Sequence, residues 1–167
     1  MTKETRLIKL EPFTKEDFQR LISWIDSERA LIQFAGPIFS YPLTTKQLED
    51  YVNKEGLKPK RIIDIETDKV IGHCELNFQN EYPRLSRILI GDKVYRGKGL
   101  GKHIVRLMIQ RIQNKATVEK VDLRAFGWNE NAVRLYKKEG FKIQHEATGQ
   151  FKFHDESWTN LYMIKQI

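Results

Sequence analysis

The chain has 167 residues, 40% of them hydrophobic and 31% charged, with a formal net charge of +7 and one cysteine. That length suits one domain with a sizeable core, and the composition excludes a disordered or fibrous chain. No apolar run approaches the ~20 residues of a membrane helix, the start lacks the apolar segment of a signal peptide, and Cys74 has no second cysteine to bridge, so a cytoplasmic protein is expected. The positive excess suits nucleic acid, an anionic surface or a polyanionic cofactor, and charge alone does not choose among them.

Arg6 to Leu10 alternates as an opening strand. Thr14 then caps a helix with acidic residues in its first turn and an apolar stripe of Phe18, Leu21, Ile22 and Ile25. After an irregular aromatic stretch, Thr44 and Gln47 stand at capping-box spacing ahead of Leu48, Tyr51 and Val52. Two helices are therefore expected between the first and second strands, with Gly56 to Lys60 closing the unit. Arg61 to Glu66 and Val70 to Asn77 read as a hairpin joined through Thr67-Asp68-Lys69. Its second strand places Val70, Gly72, Cys74, Leu76 and Phe78 on one face and Ile71, His73, Glu75 and Asn77 on the other. Leu85 to Ile90 is the third strand of this meander. Lys120 to Phe126 is a further strand, Asn129 opens a short helix ending near Gly140, and Phe141 to Glu146 with Trp158 to Ile164 forms a closing hairpin with His154-Asp155-Glu156 near its tip.

Between the third strand and the next long helix lies Arg96-Gly97-Lys98-Gly99-Leu100-Gly101-Lys102-His103. Leu100, Ile104, Val105, Met108, Ile109 and Ile112 recur at helical spacing, so a strand ends in a glycine loop that opens into a helix. Glycines allow close backbone approach, the first-turn N–H groups lack intrahelical partners, and the helix dipole and three cations add positive charge. This is an anion cradle suited to phosphate, the alternative being a glycine-rich turn with no ligand. The glycines are one residue short of a dinucleotide fingerprint, and His103 stands where a P-loop needs Ser or Thr.

The loop resembles the R/Q-x-x-G-x-G/A signature of the GNAT N-acetyltransferases, whose loop amides hold the pyrophosphate of acetyl-CoA. Asn129 to Phe141 resembles the same family at every fixed position of N-x-x-A-x-x-L-Y-x-x-x-G-F. The likeness runs over roughly residues 60 to 165 in element order, and the layout is similar to the branch holding ribosomal-protein amino-terminal and polyamine acetyltransferases. It implies an α/β fold in a single domain, residues 1–167. The central sheet is expected to be mixed, with about six or seven strands, flanking helices and a splayed strand before the loop. It implies acetyl-CoA as co-substrate and no metal. Leu89, Ile90, Arg96 to Lys102, Asn129 and Tyr136 would lie around the cofactor, and Tyr136 would protonate the departing thiolate. Read without the family, Tyr136 is a core tyrosine whose hydroxyl some carbonyl satisfies.

In this family an amine attacks the thioester directly and must be neutral. An alkyl amine with a pKa near ~10.4 loses roughly 4–5 kcal/mol of reactivity at pH 7, so a base or a desolvating site is needed. The oxyanion that forms wants a backbone N–H, which family spacing puts near Leu89. Leu85, Ser86, Arg87 and Arg124 stand where relatives carry an acidic base, which leaves Glu75, beside His73, as the nearest candidate; both also suit an exposed hairpin face. Cys74, on an apolar face, is expected to be inert core. Trp24, Phe34, Phe39 and Tyr41 line an acceptor pocket or belong to the core. The acceptor is expected to be a small amine, with no nucleic acid or membrane partner and a homodimer left open. A protein amino terminus, a non-catalytic CoA-binding module and a basic nucleic-acid binder are the competing readings.

Overall fold

The computed structural model describes residues 7–167; Arg6, where the opening strand is expected to begin, lies outside them. The chain runs β1 (Ile8–Pro12), α1 (Phe18–Trp24), α2 (Glu28–Ala35), α3 (Thr45–Val52), β2 (Leu57–Asp64), β3 (Lys69–Asn77), β4 (Arg84–Ile90), α4 (Leu100–Lys115), β5 (Lys120–Phe126), α5 (Glu130–Lys138), β6 (Lys142–Ile143), β7 (Gly149–Phe153) and β8 (Glu156–Gln166). One mixed sheet has the order β1-β2-β3-β4-β5-β8-β6, and β7 also pairs with β8. Every pairing is antiparallel except β4 with β5, which is parallel and has the single register pair Arg84↔Asp122. Among the described residues the sheet has eight strands, in keeping with the expected mixed sheet of about six or seven, the additional one being Gly149–Phe153.

The sheet separates two cores. On one face α4 buries Leu100, Ile104, Val105, Met108 and Ile112 against Cys74, Leu76, Val121, Leu123 and Met163. On the other, α1 to α3 form a second core around Phe18, Leu21, Leu31, Phe34, Leu48 and Tyr51. Three helices therefore occupy the insertion where two are expected. Ser27 starts the additional one, its hydroxyl accepting from Ala30 N at 3.0 Å, and burying Leu31 and Phe34 contributes about 3–6 kcal/mol.

The β2–β3 hairpin is longer than expected and takes in Leu57 to Lys60. Its register shifts at Ile62/Ile63, which carries Ile71 from the expected face into the core with Cys74 and Leu76. Residues Ile71 to Asn77 are buried on both faces, so His73 and Glu75, at 1% and 0% exposure, are not hairpin surface. Among the described residues no helix is long and apolar enough to cross a membrane.

Candidate active site

Beyond Arg84 and Asp122 the two parallel strands part. Arg84 Nε and Nη2 donate to the Asp122 carboxylate at 2.7 and 3.2 Å, the Tyr162 hydroxyl donates to the same carboxylate at 2.7 Å, and Asp122 N donates to Pro83 O at 3.1 Å. This clamp closes the foot of a V-shaped opening. Asp122 is the missed residue with a readable signal, since a lone acid between Val121 and Leu123 has to find a buried partner.

A bulge shapes the β4 wall. His73 pairs with Leu89 but Glu75 with Ser86, so β4 carries one extra residue, and Arg87 there adopts φ +50°. Gly91 N donates to Ile71 O at 2.9 Å. Antiparallel alternation then turns the N–H and C=O of Ile90 away from β3 toward the opening, while Leu89 faces β3. The Ile90 carbonyl accepts from Arg96 Nε at 2.8 Å, which ties the glycine loop to the end of β4. A Cβ on Gly91 would overlap the Trp24 indole, so α1 seals this corner.

The loop then delivers α4. Gly97 and Gly99 have φ +72° and +77°, with open space where a Cβ would stand, and Gly99 caps the helix with no side-chain hydrogen bond. The first-turn N–H groups thus face outward among the exposed cations of Arg96, Lys98 and Lys102. Leu100 is buried in the core beneath them. Gly101 serves packing as well, for a Cβ there would lie 2.6 Å from Leu135 Cδ2 of α5.

Across the opening, Asn129 caps α5 by accepting from Ala132 N at 3.4 Å. The Tyr136 ring packs on the core and meets Phe141 edge-on at 6.1 Å. Its hydroxyl has no hydrogen-bond partner among the described residues, and burial pushes its pKa up to about 12. The core reading, with the hydroxyl satisfied by a carbonyl, is therefore not what the structure contains.

On the helical-insert side of β3 and β4, Glu75 Oε2 accepts from Arg87 Nη1. The Tyr51 hydroxyl stands 3.3 Å from His73 Nε2 and next to the Glu75 carboxylate. Burial pushes the Glu75 carboxyl above the ordinary range against the pull of Arg87, and holds His73 down at about 3, hence neutral. Glu75 Oε1 and His73 Nδ1 are buried without partners. Tyr51 and Arg87, but not Glu75, line an open cavity of about 280 Å³ that also meets Phe39 and Lys54. Burial pushes the Cys74 thiol up, consistent with inert core. Phe34 is core, Trp24 and Phe39 sit at the core's edge, and the exposed Tyr41 donates to Asp26 O at 3.1 Å.

A strap closes the far end. Arg29 of α2 reaches the β7–β8 hairpin, pairing with Glu156 at 2.9 Å while lying over the rings of Trp128 and Trp158 at 5.1 and 4.8 Å. These rings join Phe126, Phe151 and Phe153 in an aromatic cluster beyond the end of β5.

Residues 15–141 match the family model described as "Acetyltransferase (GNAT) family". The chain is 26% identical over 113 residues to the L-amino acid N-acetyltransferase AaaT of Escherichia coli, covering 65% of this chain and 68% of that protein. It is 34% identical over 83 residues to a probable spermine N(1)-acetyltransferase of Bacillus subtilis subsp. natto, covering 50% of this chain and 49% of that protein, so the match spans about half the length of that relative. In fold it is similar to the spermidine N-acetyltransferase from Vibrio cholerae in complex with CoA and spermine, at TM-score 0.76 and 18% identity over 95% of both chains.

Proposed function

The chain belongs to the acetyltransferase (GNAT) family, and on that premise we propose that it transfers the acetyl group of acetyl-CoA to a small primary amine by direct attack in a ternary complex. What supports this reading is the presence together of parallel strands that part after one register pair, an α4 N-terminus with no side-chain cap, and a Tyr136 hydroxyl without a partner among the described residues.

The residues present fit the co-substrate. The outward first-turn amides of α4, with Lys98 and Lys102, hold a diphosphate. Arg96 keeps its Nη groups for the same anion while its Nε fixes the Ile90 carbonyl. The opening beside Ile90 and Leu89 takes the pantetheine arm between β4 and β5, and Asn129 orders the start of α5 next to it. When bound, acetyl-CoA supplies a thioester carbonyl open to attack by an amine.

This chain's groups then divide the work. The Ile90 N–H, turned into the opening, is the oxyanion donor, one residue from the expected Leu89. The Tyr136 hydroxyl, still protonated at neutral pH, gives its proton to the departing thiolate. Glu75 takes up the amine's proton through Tyr51, whose hydroxyl links the cavity to the buried carboxylate.

The test is thiol release from acetyl-CoA over a panel of amines, with initial rates measured at varied concentrations of both substrates. Intersecting double-reciprocal lines are expected. Parallel lines contradict direct attack, and a protein that releases thiol with no amine is not a transferase of this kind.

A further inference from the structure

Resting on that reading, we propose that the acceptor is an amine bearing a carboxylate, and that Arg124 is the residue that selects it. Leu123 and Val121 turn into the α4 core, so Asp122 and Arg124 point to the opposite face. There the register pairs Arg124 with Tyr162 and Asp122 with Ile164. The core of the inserted helices takes in Leu57 of β2 and Leu89 of β4 but no residue of β5, β6 or β8, and Arg124 itself is exposed. Arg124 lies two residues beyond the clamp, on the stretch of β5 that has parted from β4 and pairs only with β8.

Its environment is that of a guanidinium waiting for an anion. Arg124 Cζ lies over the Tyr162 ring at 4.9 Å, and among the described residues its one hydrogen bond goes to the Ala147 carbonyl, at 3.5 Å. Among the described residues it pairs with no carboxylate. The one acid beside it, Asp122, is saturated by Arg84 and Tyr162. Arg84 lies against the same ring at 5.8 Å, so two cations share one neighbourhood. Further down this face, a depression of about 370 Å³ is lined by Lys120, Lys142, Gln144 and Gln166 and holds no acid. Desolvation and Arg84 act against the charge on Arg124, Tyr162 and Asp122 offset them in part, and a carboxylate on the guanidinium adds to that offset. A guanidinium fork suits two parallel hydrogen bonds to a carboxylate, and Tyr162 beneath it limits the positions that Arg124 can take. A polyamine meets cations here, Arg124 and Arg84 over one ring and Lys120 and Lys142 around the depression.

The experiment compares a series of α-amino acids, the matching amino-acid carboxamides and spermidine as acceptors at saturating acetyl-CoA, for the wild type, R124Q and R124K. The amino acids are expected to exceed their carboxamides and spermidine in kcat/KM by roughly ten- to a hundredfold, the range of a charged hydrogen bond. R124Q is expected to raise KM for the acids by a similar factor, leave KM for the carboxamides in place, and so collapse the preference; R124K retains part of it. Carboxamides or spermidine used as well as the acids, or an unaltered acid KM in R124Q, overturns the proposal. Thermal melts with acetyl-CoA separate the two levels. A wild type that acetyl-CoA stabilises but that prefers uncharged acceptors refutes the carboxylate alone, whereas one that acetyl-CoA leaves unshifted refutes the transferase and the carboxylate together.

Discussion

Arg84 holds Asp122 through two hydrogen bonds, 2.7 and 3.2 Å long, at the single register point where β4 and β5 still pair. Asp122 is 2% exposed and Arg84 21%, so the carboxylate is dry and its loss leaves a half-buried cation without its partner. Asp122→Asn should cost about 3 kcal/mol, or roughly 6–12 °C in Tm for a domain of this size. A melt within 2 °C of the wild type would mean that the clamp does not fix the foot of the opening.

Tyr136→Phe separates catalysis from structure. Because the hydroxyl has no partner among the described residues, its removal should leave Tm and acetyl-CoA binding in place while lowering kcat by about 10²–10⁴-fold. With a pKa of about 12, the wild-type acid stays protonated across the neutral and mildly alkaline range, so kcat should show no fall from this group up to pH 10. An unchanged kcat in the phenylalanine variant removes Tyr136 from the chemistry.

Glu75→Gln tests the base. The carboxyl sits above its ordinary range through burial, so the wild-type kcat should rise with pH through a pKa higher than that of a free glutamate. The variant should lose that limb, with kcat down about 10²-fold at neutral pH and partly recovered at high pH as the amine deprotonates on its own. The same pH profile in both proteins would show Glu75 to be only the counter-ion of Arg87.

His73 makes folding acid-sensitive. Its pKa in the folded protein is about 3, against an ordinary 6.5, because Phe13, Phe34 and Tyr51 enclose the ring. A depressed value means that the unfolded chain binds the proton more readily. Stability is therefore full above pH 6.5 and declines as pH falls toward 3, by up to about 1.4 kcal/mol per unit. Denaturant titrations at pH 7, 6 and 5 should show this slope, and His73→Phe should flatten it. Equal slopes in the two proteins would assign the decline to other groups.

What could be read in the sequence is what is encoded locally. The glycine loop, α4 and α5 follow from glycine spacing, an apolar stripe and an Asn cap, each contained within a few turns of chain. Helix α2 escaped because Ser27 follows the previous helix so closely that the two read as one end rather than a new start. Strand β7 escaped because Phe151 and Phe153 alternate within a stretch that otherwise reads as a hairpin loop. The Glu75–Arg87 pair needed the β4 bulge, and the burial of His73 and Glu75 needed helices packed from 20 or more residues away, neither of which strand alternation reveals. Arg124 stands out only once the core of the inserted helices is seen to stop short of β5.

The most direct measurement is the thermal melt of the purified protein with and without acetyl-CoA, run beside a Gly99→Val variant. Gly99 has φ +77°, which a β-branched residue resists, so the variant should distort the start of α4. At about a hundredfold its Kd the ligand should stabilise the wild type by ~2.7 kcal/mol, a shift of roughly 5–10 °C, and the variant far less. If saturating acetyl-CoA leaves the wild-type melt in place, the loop from Arg96 to Lys102 is not its cradle, and the functional reading built on it is wrong.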